Sequence, residues 1–297
     1  MKRDIVMVGA LALAITGLLI GIASQMPGIP AENCVQCDAG WYQRIAEQGY
    51  PEMPPGADLG HWRGGDIHQT EWAFSPLYPL LVRGLMDMTG LAFAQIVLGL
   101  GLLLTLIMAV LALAIFNAWI GPEAAKWGVI ALLLQPFGIY FHLGMTEGLF
   151  LCALLGAFLS IHRGSAWVLA LCATALVLTR PNGLFLLPIL LVYLIERDGS
   201  EWSVLWERPL VILSKAWPLT LGVVAYGAWC LYQWRMTGTP FAFLAAEAGW
   251  GRGFTWPWAG LFSAGDTATQ ADSWLSLGLL ALIFSVRKKL SLAGFNS

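Results

Sequence analysis

The chain has 297 residues, of which 58% are hydrophobic and 11% are charged, and its mean hydropathy is +0.70. Soluble domains carry about 25% charged residues, so this composition excludes an ordinary soluble protein and indicates an integral membrane protein. The net charge of -2 offers no basis for nucleic-acid binding, and five cysteines are too few for a disulfide scaffold. We expect an all-α fold, in which residues 1–297 form one polytopic bundle of transmembrane helices.

Uncharged stretches predict about eight membrane spans, because a helix that crosses the hydrocarbon needs about 20 apolar residues. The first apolar run, Ile5–Ala23, is longer than the hydrophobic part of a signal peptide and is interpreted as a retained span. The run Gly164–Ile195 is divided into spans five and six after Arg180, where proline, asparagine and glycine together predict a turn. The other predicted spans lie in Met88–Pro122, Trp127–Thr146, Gly148–Ile161, Ala216–Trp234 and Ser273–Val286.

Basic residues divide unequally between the two sides of this predicted topology. With the N-terminus inside, the cytoplasmic side receives every lysine and five of the eleven arginines: Lys2, Lys126, Lys215, Lys288, Lys289, Arg3, Arg163, Arg197, Arg208 and Arg287. That bias agrees with the positive-inside rule. The topology leaves two sizeable outer loops, residues 25–90 and 235–272, so we expect the function to lie on the extracytoplasmic side.

The first outer loop contains the stretch CDAGWYQRIAEQGY, residues 37–50. Its pattern predicts an interfacial amphipathic helix that ends at Gly49, with one face formed by Trp41, Tyr42, Ile45 and Ala46. Asp38 opens this helix. Two interpretations of Asp38 stay open: its carboxylate caps the helix, or it does chemistry at the membrane edge.

A second flat helix is predicted from the stretch FSPLYPLLVRGLMDM. Ser75 is a favourable N-cap, and Pro76 suits the first helical position. The expected apolar stripe consists of Leu77, Leu80, Leu81, Leu85 and Met88. Two flat helices beside an outer loop would form a floor where a lipid-linked substrate meets a water-soluble group.

Two ionisable residues stand out because charged groups at membrane depth are costly. Glu147 begins the predicted fourth span, and Arg180 lies at the outer turn between spans five and six. They are interpreted either as a structural ion pair that joins two helix ends, or as a site in which Arg180 binds a phosphate bidentately.

The second outer loop is rich in aromatic residues and has Arg252 as its central cation. Tryptophan favours the membrane interface in any case, so aromatic density alone is weak support for a site. Tryptophan faces also stack on the apolar C–H surface of sugar rings.

Metal binding is a weaker interpretation of the first outer loop. The CVQC stretch provides Cys34 and Cys37, which would form an outer disulfide or need His61 and His68 to complete a metal site. The acidic residues Asp58, Asp66 and Glu71 would bind a cation or would form a solvated loop face. We therefore assign no metal and no cofactor from the sequence, and a divalent metal stays unproven.

Five stretches occur in the order seen in PIG-V-type mannosyltransferases of the GT-C glycosyltransferase superfamily. They are DAGWYQRIAEQGY, FSPLYPLLVR, TEGLF, TRPNGLF and GTPFAFLAAEAGWGR, and together they cover about residues 36–252. The chain resembles that family, although Cys37 stands where the family often has tryptophan before the acid. The chain is also shorter than members of the family usually are.

The resemblance implies an inverting transferase that moves a sugar, usually mannose, from a polyprenyl- or dolichyl-phosphate donor to an acceptor hydroxyl. An acid in the first outer loop is the expected catalytic base of that superfamily, and Asp38 matches this position. The donor phosphate would bind Arg180 or Arg252. The residues expected to bind the sugar, the lipid or the acceptor are Glu147, Trp41, Tyr42, Asn182 and Trp250.

The partners implied are the lipid-phosphate donor, a lipid- or glycan-linked acceptor and membrane lipid, with no nucleic acid. The protein is expected in a bacterial inner membrane, or in the endoplasmic reticulum membrane if it is eukaryotic. Three alternatives stay open: a membrane transporter, an assembly subunit without catalytic activity, and a GT-C enzyme that uses another sugar. A transporter would place its site near the midplane, whereas the ionisable residues here cluster at the predicted outer ends.

Overall fold

The computed structural model describes most of the chain: residues 2–25, 38–63, 65–142, 144–197, 207, 209–253, 256, 258–262, 273–278, 280 and 281. Cys34 and Cys37, and with them the predicted disulfide or metal pair, lie outside the described residues. The predicted eighth span lies partly outside them, since residues 273–278 are helical and residues 282–286 are not described.

Helices dominate the described chain, which confirms the all-α fold class. They are α1 (Lys2–Gln25), α2 (Ala39–Gln48), α3 (Leu77–Thr89), α4 (Phe93–Ile120), α5 (Pro122–Leu134), α6 (Glu147–Arg163), α7 (Ala166–Thr179), α8 (Leu186–Arg197), α9 (Pro209–Thr237) and α10 (Ala242–Ala246). Short 3-10 helices lie at Glu71–Ala73, Pro136–Phe141, Pro181–Phe185, Glu247–Trp250 and Ala259–Phe262. The sequence did not predict a small hairpin in which β1 (His61–Arg63) pairs antiparallel with β2 (Asp66–His68).

Proline and glycine decide where the helices break. The division of the run Gly164–Ile195 is confirmed, because α7 ends at Thr179 and the 3-10 helix Pro181–Phe185 separates it from α8. The predicted third span, in Trp127–Thr146, does not contain one continuous helix. The helix α5 ends at Leu134, and Pro136, which lacks an N–H and restricts the residue before it, begins a 3-10 helix instead.

One helix of the described chain, α4, is long and apolar enough to cross a membrane by itself. The helices α5, α6, α7 and α8 have 13, 17, 14 and 12 residues, fewer than the roughly 20 that a straight span needs. The number of spans therefore stays a prediction. Large apolar side chains nevertheless cover the outside of several helices, with Trp167 71%, Leu171 71% and Val224 65% exposed.

Three apolar clusters form the core of the described chain, and α6 contributes to the first two, whereas the third surrounds Trp72 and Trp229. In the first, Val97, Leu104 and Met108 of α4 pack with side chains of α1, α2, α3, α5 and α6. In the second, α6, α7, α8 and α9 meet. There Gly222 lets α9 approach α7 closely, since a Cβ at Gly222 would lie 3.1 Å from the carbonyl oxygen of Ala173.

The direction of α6 and α7 brings two charged residues to one end of the bundle. Gly164, with φ of 71°, turns the chain between these helices, so the first residue of α6 lies near the last residue of α7. Glu147 and Arg180 consequently come together. The other end of α6 is separate: Arg163 shares a cavity there with Asp4 and Pro122. A helix of 17 residues is about 25 Å long, so the two ends of α6 are well separated.

The amphipathic pattern of α2 is confirmed in its main features. Tyr42, Ile45 and Ala46 are buried in the first core cluster, and Gly49, with φ of 81°, ends the helix as predicted. On the outer face the Gln43 amide donates to the Glu47 carboxylate at 2.8 Å.

The predicted face of α3 is wrong in part. The buried residues are Tyr78, Pro79 and Val82, whereas Leu80 is 53% and Met88 83% exposed. Ser75 is not a side-chain cap, because α3 begins one residue later than predicted and Pro76 holds the N-cap position in a helical conformation. An apolar stripe shows that one helix face is hydrophobic but not what covers it, so it did not identify the packed face.

Candidate active site

A cleft of about 100 Å³, partly open to solvent, lies at the end of the bundle where α6 begins and α7 ends. Three segments that are distant in sequence line it. The chain between α1 and α4, predicted as the first outer loop, contributes two parts, one around the start of α2 and one before α3. The other two segments are the end of α7 and the chain after α10. The lining residues are Asp38, Tyr42, Ala73, Phe74, Ser75, Thr179, Arg180, Pro181, Glu247, Trp250 and Arg252. We call this space the Asp38 cleft.

The backbone of Asp38 begins α2, but its carboxylate does not cap the helix. The N–H groups of Trp41 and Tyr42 donate to the carbonyl oxygen of Asp38 at 3.0 and 3.2 Å. With φ of -69° and ψ of -14°, Asp38 itself is helical, and its side chain makes no capping hydrogen bond. A capping side chain usually needs an extended backbone at this position, so the carboxylate remains available to the cleft.

Several charged groups surround the half-buried carboxylate of Asp38. Burial raises its pKa above the ordinary value of an aspartate, because the charged form loses water. Arg252 and Arg180 lower the pKa, and Glu147 and Glu247 raise it, with burial the largest influence. A carboxylate with a raised pKa is a better proton acceptor than an exposed aspartate, provided that it is ionised.

Arg180 is held at the edge of the cleft by an ion pair. Its Nη1 donates to Oε1 of Glu147 at 2.8 Å, and the two side chains are 40% and 29% exposed. The sequence-based hypothesis of a structural pair is therefore confirmed in geometry. The ion pair does not exclude phosphate binding by Arg180, since a guanidinium has five N–H donors and the contact with Glu147 uses one of them.

The second carboxylate oxygen of Glu147 is unusual. Oε2 is buried and has no hydrogen-bond partner among the residues that the structure describes. Buried carboxylate oxygens are rarely left unpaired, because an unsatisfied polar atom costs about 1–3 kcal/mol. A substrate hydroxyl or a water molecule would satisfy it.

Arg252 forms a similar pair on the opposite segment of the cleft. Its Nη1 donates to Oε2 of Glu247 at 3.1 Å, and its backbone N–H donates to the Glu247 carbonyl oxygen at 3.2 Å. The Arg252 side chain is 70% exposed, so most of its donors face solvent. Asp38 thus shares its cleft with two arginines, each of which already contacts a glutamate.

Aromatic side chains form one wall of the cleft. The Trp41 ring stacks on Phe74 with centroids 5.9 Å apart and meets the Trp250 ring edge-on at 5.6 Å. The guanidinium of Arg44 covers the Trp41 ring at 4.7 Å, while its Nη1 donates to Oε1 of Glu71 at 3.1 Å. Trp41 therefore supports Trp250 from behind, and Trp250 is the tryptophan that lines the cleft.

Tyr42 lines the cleft with little exposed surface. Its side chain is 7% exposed, and burial raises the pKa of its hydroxyl well above the ordinary value. It contacts Phe74 and Tyr78 edge-on, both with centroids 5.2 Å apart. The hydroxyl therefore stays protonated and is suited to hydrogen bonding, not to acting as a base.

The predicted site residues differ in how directly they reach the cleft. Asp38, Tyr42, Arg180, Trp250 and Arg252 line it. Glu147 contacts it through Arg180, and Trp41 through Trp250. Asn182 is exposed on the 3-10 helix Pro181–Phe185 and is not among the lining residues, so its predicted role as a substrate contact receives no support from the cleft.

Sequence reasoning missed three polar residues of the cleft. Glu247 pairs with Arg252, and an acid in the same loop as its central cation was the available signal. Thr179 is buried, with its hydroxyl donating to the carbonyl oxygen of Ala175 at 2.6 Å. Ser75 was assigned to a helix cap, and only the position of α3 shows that it lines the cleft.

The arrangement combines a proton acceptor with two cationic groups and an aromatic wall. Such a cleft is chemically suited to an anionic group bound at the arginines and a hydroxyl compound bound near Asp38. The chain matches no protein-family model, no curated protein and no solved structure. Membership of the GT-C superfamily therefore stays a hypothesis that rests on the sequence motifs.

Proposed function

We propose that the chain is a membrane glycosyltransferase that transfers a sugar from a polyprenyl- or dolichyl-phosphate donor to an acceptor hydroxyl on the extracytoplasmic side. Mannose is the first sugar to test, because the motifs resemble those of PIG-V-type enzymes. The observation that carries the proposal is the position of Asp38. Its half-buried, non-capping carboxylate shares one cleft with Arg180 and Arg252.

In the proposed reaction Asp38 is the general base. The carboxylate takes the proton of the acceptor hydroxyl as the hydroxyl oxygen forms a bond to the anomeric carbon of the sugar. The bond between that carbon and the phosphate oxygen breaks, and its electron pair leaves with the lipid phosphate. Attack from the face opposite the leaving group inverts the configuration of the anomeric carbon.

Arg180 and Arg252 are assigned to the donor phosphate. A leaving phosphate gains negative charge in the transition state, and guanidinium groups already held in place stabilise that charge. The pair between Arg180 and Glu147 supports this assignment, because it holds the guanidinium without using most of its donors. Glu147 would also accept a hydrogen bond from the acceptor through its unpaired Oε2.

The proposed site lies at a membrane boundary of a multi-pass protein. The apolar side chains exposed on α7 and α9 support this, since contiguous apolar surface requires an apolar surrounding. Labelling of single cysteines would test it, in a background in which the five native cysteines are replaced. A cysteine at Asp87 should react with an impermeant reagent in intact cells, and one at Lys215 should react only after lysis. Equal reaction of both before lysis would contradict the topology.

The decisive experiment is a transfer assay with purified protein. The protein is incubated with labelled polyprenyl-phosphate-mannose and a membrane lipid extract, and the labelled product is identified. We expect the label to leave the donor and appear on an acceptor. Transport of the donor without chemical change would favour a transporter, and binding without transfer would favour an assembly subunit. The same assay with another polyprenyl-phosphate sugar identifies a GT-C enzyme of different specificity.

A further inference from the structure

The hairpin of the first outer loop carries a group of metal-ligating side chains that the proposed transfer reaction does not use. Asp58, His61 and His68 each direct one ligand atom towards the others, and these atoms lie within 4.8 Å of one another. His61 and His68 are directly opposed partners of the antiparallel pair β1–β2, so their side chains lie on one face. Their ring centroids are 5.7 Å apart.

The backbone orients Asp58 towards this face. Oδ1 of Asp58 accepts a hydrogen bond of 3.0 Å from the Gly60 N–H, which fixes the carboxylate in a tight turn. Oδ2 is directed at Nδ1 of His61. This direct contact brings one oxygen and one nitrogen ligand together, and an ion would take the place of the hydrogen bond between them.

His61 also has the second contact that metal-binding histidines usually make. Its Nε2 lies 3.0 Å from Oδ2 of Asp66. In most metal sites the ring nitrogen that does not bind the ion donates to a carboxylate or carbonyl, which orients the ring and makes the ligand more basic. Asp66 is in position for that role while Nδ1 faces Asp58 and His68.

The chemical nature of the three ligand groups determines which metal ions they favour. Two imidazoles and a carboxylate suit first-row transition ions, whereas Mg²⁺ and Ca²⁺ prefer oxygen ligands alone. Ligand atoms of a tetrahedral zinc site lie roughly 3.4 Å apart, given bonds of about 2.0–2.1 Å. Oδ2 of Asp58 and Nδ1 of His61 are now in direct hydrogen-bond contact, so they would have to separate to admit an ion. The His68 ligand atom, within 4.8 Å of the others, would have to approach by about 1 Å. Rotation of these partly exposed side chains can supply both movements.

We propose that Asp58, His61 and His68 bind one divalent transition ion of the zinc class, with Asp66 orienting the His61 ring from behind. Water would complete the coordination, because the hairpin face is partly open to solvent. The inference does not rest on the proposed transfer reaction, since the hairpin lies outside the Asp38 cleft.

The ion would stabilise the part of the loop that supports the cleft. A Cβ at Gly60 would lie 2.6 Å from the carbonyl oxygen of Ala246, and the Gln69 amide donates to the carbonyl oxygen of Gly249 at 3.0 Å. The hairpin therefore packs directly against the 3-10 helix Glu247–Trp250, which contributes Glu247 and Trp250 to the cleft. Metal binding would hold this support in place.

The test is titration of the purified full-length chain, first treated with a chelator, with Co²⁺ as a spectroscopic probe. We expect one Co²⁺ per chain, with the visible absorption of a four- or five-coordinate site, and its displacement by Zn²⁺ but not by Mg²⁺. His61→Ala and His68→Ala should each weaken Co²⁺ binding by about 100-fold or more, and Asp66→Asn by about 10-fold.

Two further variants keep the result interpretable. His162→Ala removes a histidine at the far end of α6 and should leave Co²⁺ binding unchanged. Asp58→Asn keeps an oxygen for the Gly60 turn but loses the charged ligand, so it should fold normally and bind Co²⁺ at least 10-fold more weakly. Absence of the visible band in the wild type, or equal affinity in the wild type and His68→Ala, would show that the group is only a histidine held between two carboxylates.

Discussion

Arg180 donates to Glu147 across the open end of the bundle, and this 2.8 Å contact joins the first residue of α6 to the residue that follows α7. A partly exposed ion pair contributes only about 0–1 kcal/mol to stability. The pair is therefore better understood by what it positions. It holds a guanidinium at the edge of the cleft that contains Asp38, with most of its donors available to a ligand.

Asp38→Asn should lower sugar transfer by about 10²–10⁴-fold, because an amide cannot accept the acceptor's proton. The measurement is the initial rate of transfer from labelled polyprenyl-phosphate-mannose, with donor binding measured separately. Asp87→Asn, which removes an exposed carboxylate at the end of α3, is the matched control and should retain the wild-type rate. A fully active Asp38→Asn variant would remove the base assignment.

Arg180→Ala should weaken donor binding more than Arg180→Lys does. Loss of charge-assisted hydrogen bonds worth about 1.5–3 kcal/mol corresponds to roughly 10- to 100-fold in affinity, and lysine restores the charge without the planar fork. The dissociation constant of a polyprenyl-phosphate probe measures the effect, with Arg83→Ala, at an exposed position of α3, as control. Equal donor affinity in Arg180→Ala and the wild type would show that Arg180 only forms the structural ion pair with Glu147 and does not bind the donor.

The two charges nearest Asp38 on the second outer loop should shift the pH profile in opposite directions. Glu247 raises and Arg252 lowers the pKa of Asp38. The acid limb of the rate profile should therefore move to lower pH in Glu247→Gln and to higher pH in Arg252→Gln. Because the two residues pair with each other, each substitution also frees the other charge and strengthens its own shift. Identical acid limbs in both variants would mean that Asp38 does not control the rate.

Asp38→Asn should also raise the unfolding temperature near neutral pH. The folded state raises the pKa of Asp38, so between the ordinary value and the raised value it binds more protons than the unfolded state does. Stability therefore falls as the pH rises through that window, and the loss persists above it. The uncharged amide of Asp38→Asn removes this loss of stability. The substitution costs no helix cap, since the Asp38 side chain does not cap α2.

Thermal unfolding of wild type and Asp38→Asn at two pH values measures this effect. The difference should vanish below the ordinary pKa of aspartate, about 3.9, where the wild-type carboxyl is protonated in both states. A variant that is less stable than the wild type near neutral pH would show that the Asp38 carboxylate has a structural role.

Gly249→Ala should disturb the cleft from outside it. A Cβ at Gly249 would lie 2.3 Å from the carbonyl oxygen of His68, so the hairpin and the 3-10 helix Glu247–Trp250 must move apart. We expect a loss of about 1–3 kcal/mol in stability and weaker donor binding. Gly99→Ala is the control, because a Cβ there meets no atom within 4 Å. Unfolding temperature and donor affinity should both fall in Gly249→Ala, and unchanged values would contradict the packing.

Much of the local structure follows from the sequence alone. The amphipathic spacing of Tyr42, Ile45 and Ala46 identified α2 and its buried face. Helical periodicity and a glycine that ends a helix are both properties of a few neighbouring residues, so the sequence shows them. Proline and glycine after Arg180 likewise identified the break between α7 and α8. The predicted third span does not contain one continuous helix, because apolar composition does not reveal that Pro136 ends a helix early. The predicted face of α3 was wrong in part, because an apolar stripe does not show which of its side chains pack against the protein.

The candidate site, too, was partly predictable from the sequence and partly decided by the tertiary structure. Ionisable residues are rare in an apolar chain and can be identified directly from the sequence. Asp38, Glu147, Arg180 and Arg252 were found in this way. Only the tertiary structure decided that Asp38, Arg180 and Arg252 share one cleft, that Glu247 joins them, and that Asn182 stays outside. Those relationships depend on how α6, α7 and the segments around α2 and α10 pack in three dimensions, and contacts between residues far apart in a chain leave no mark in its local pattern.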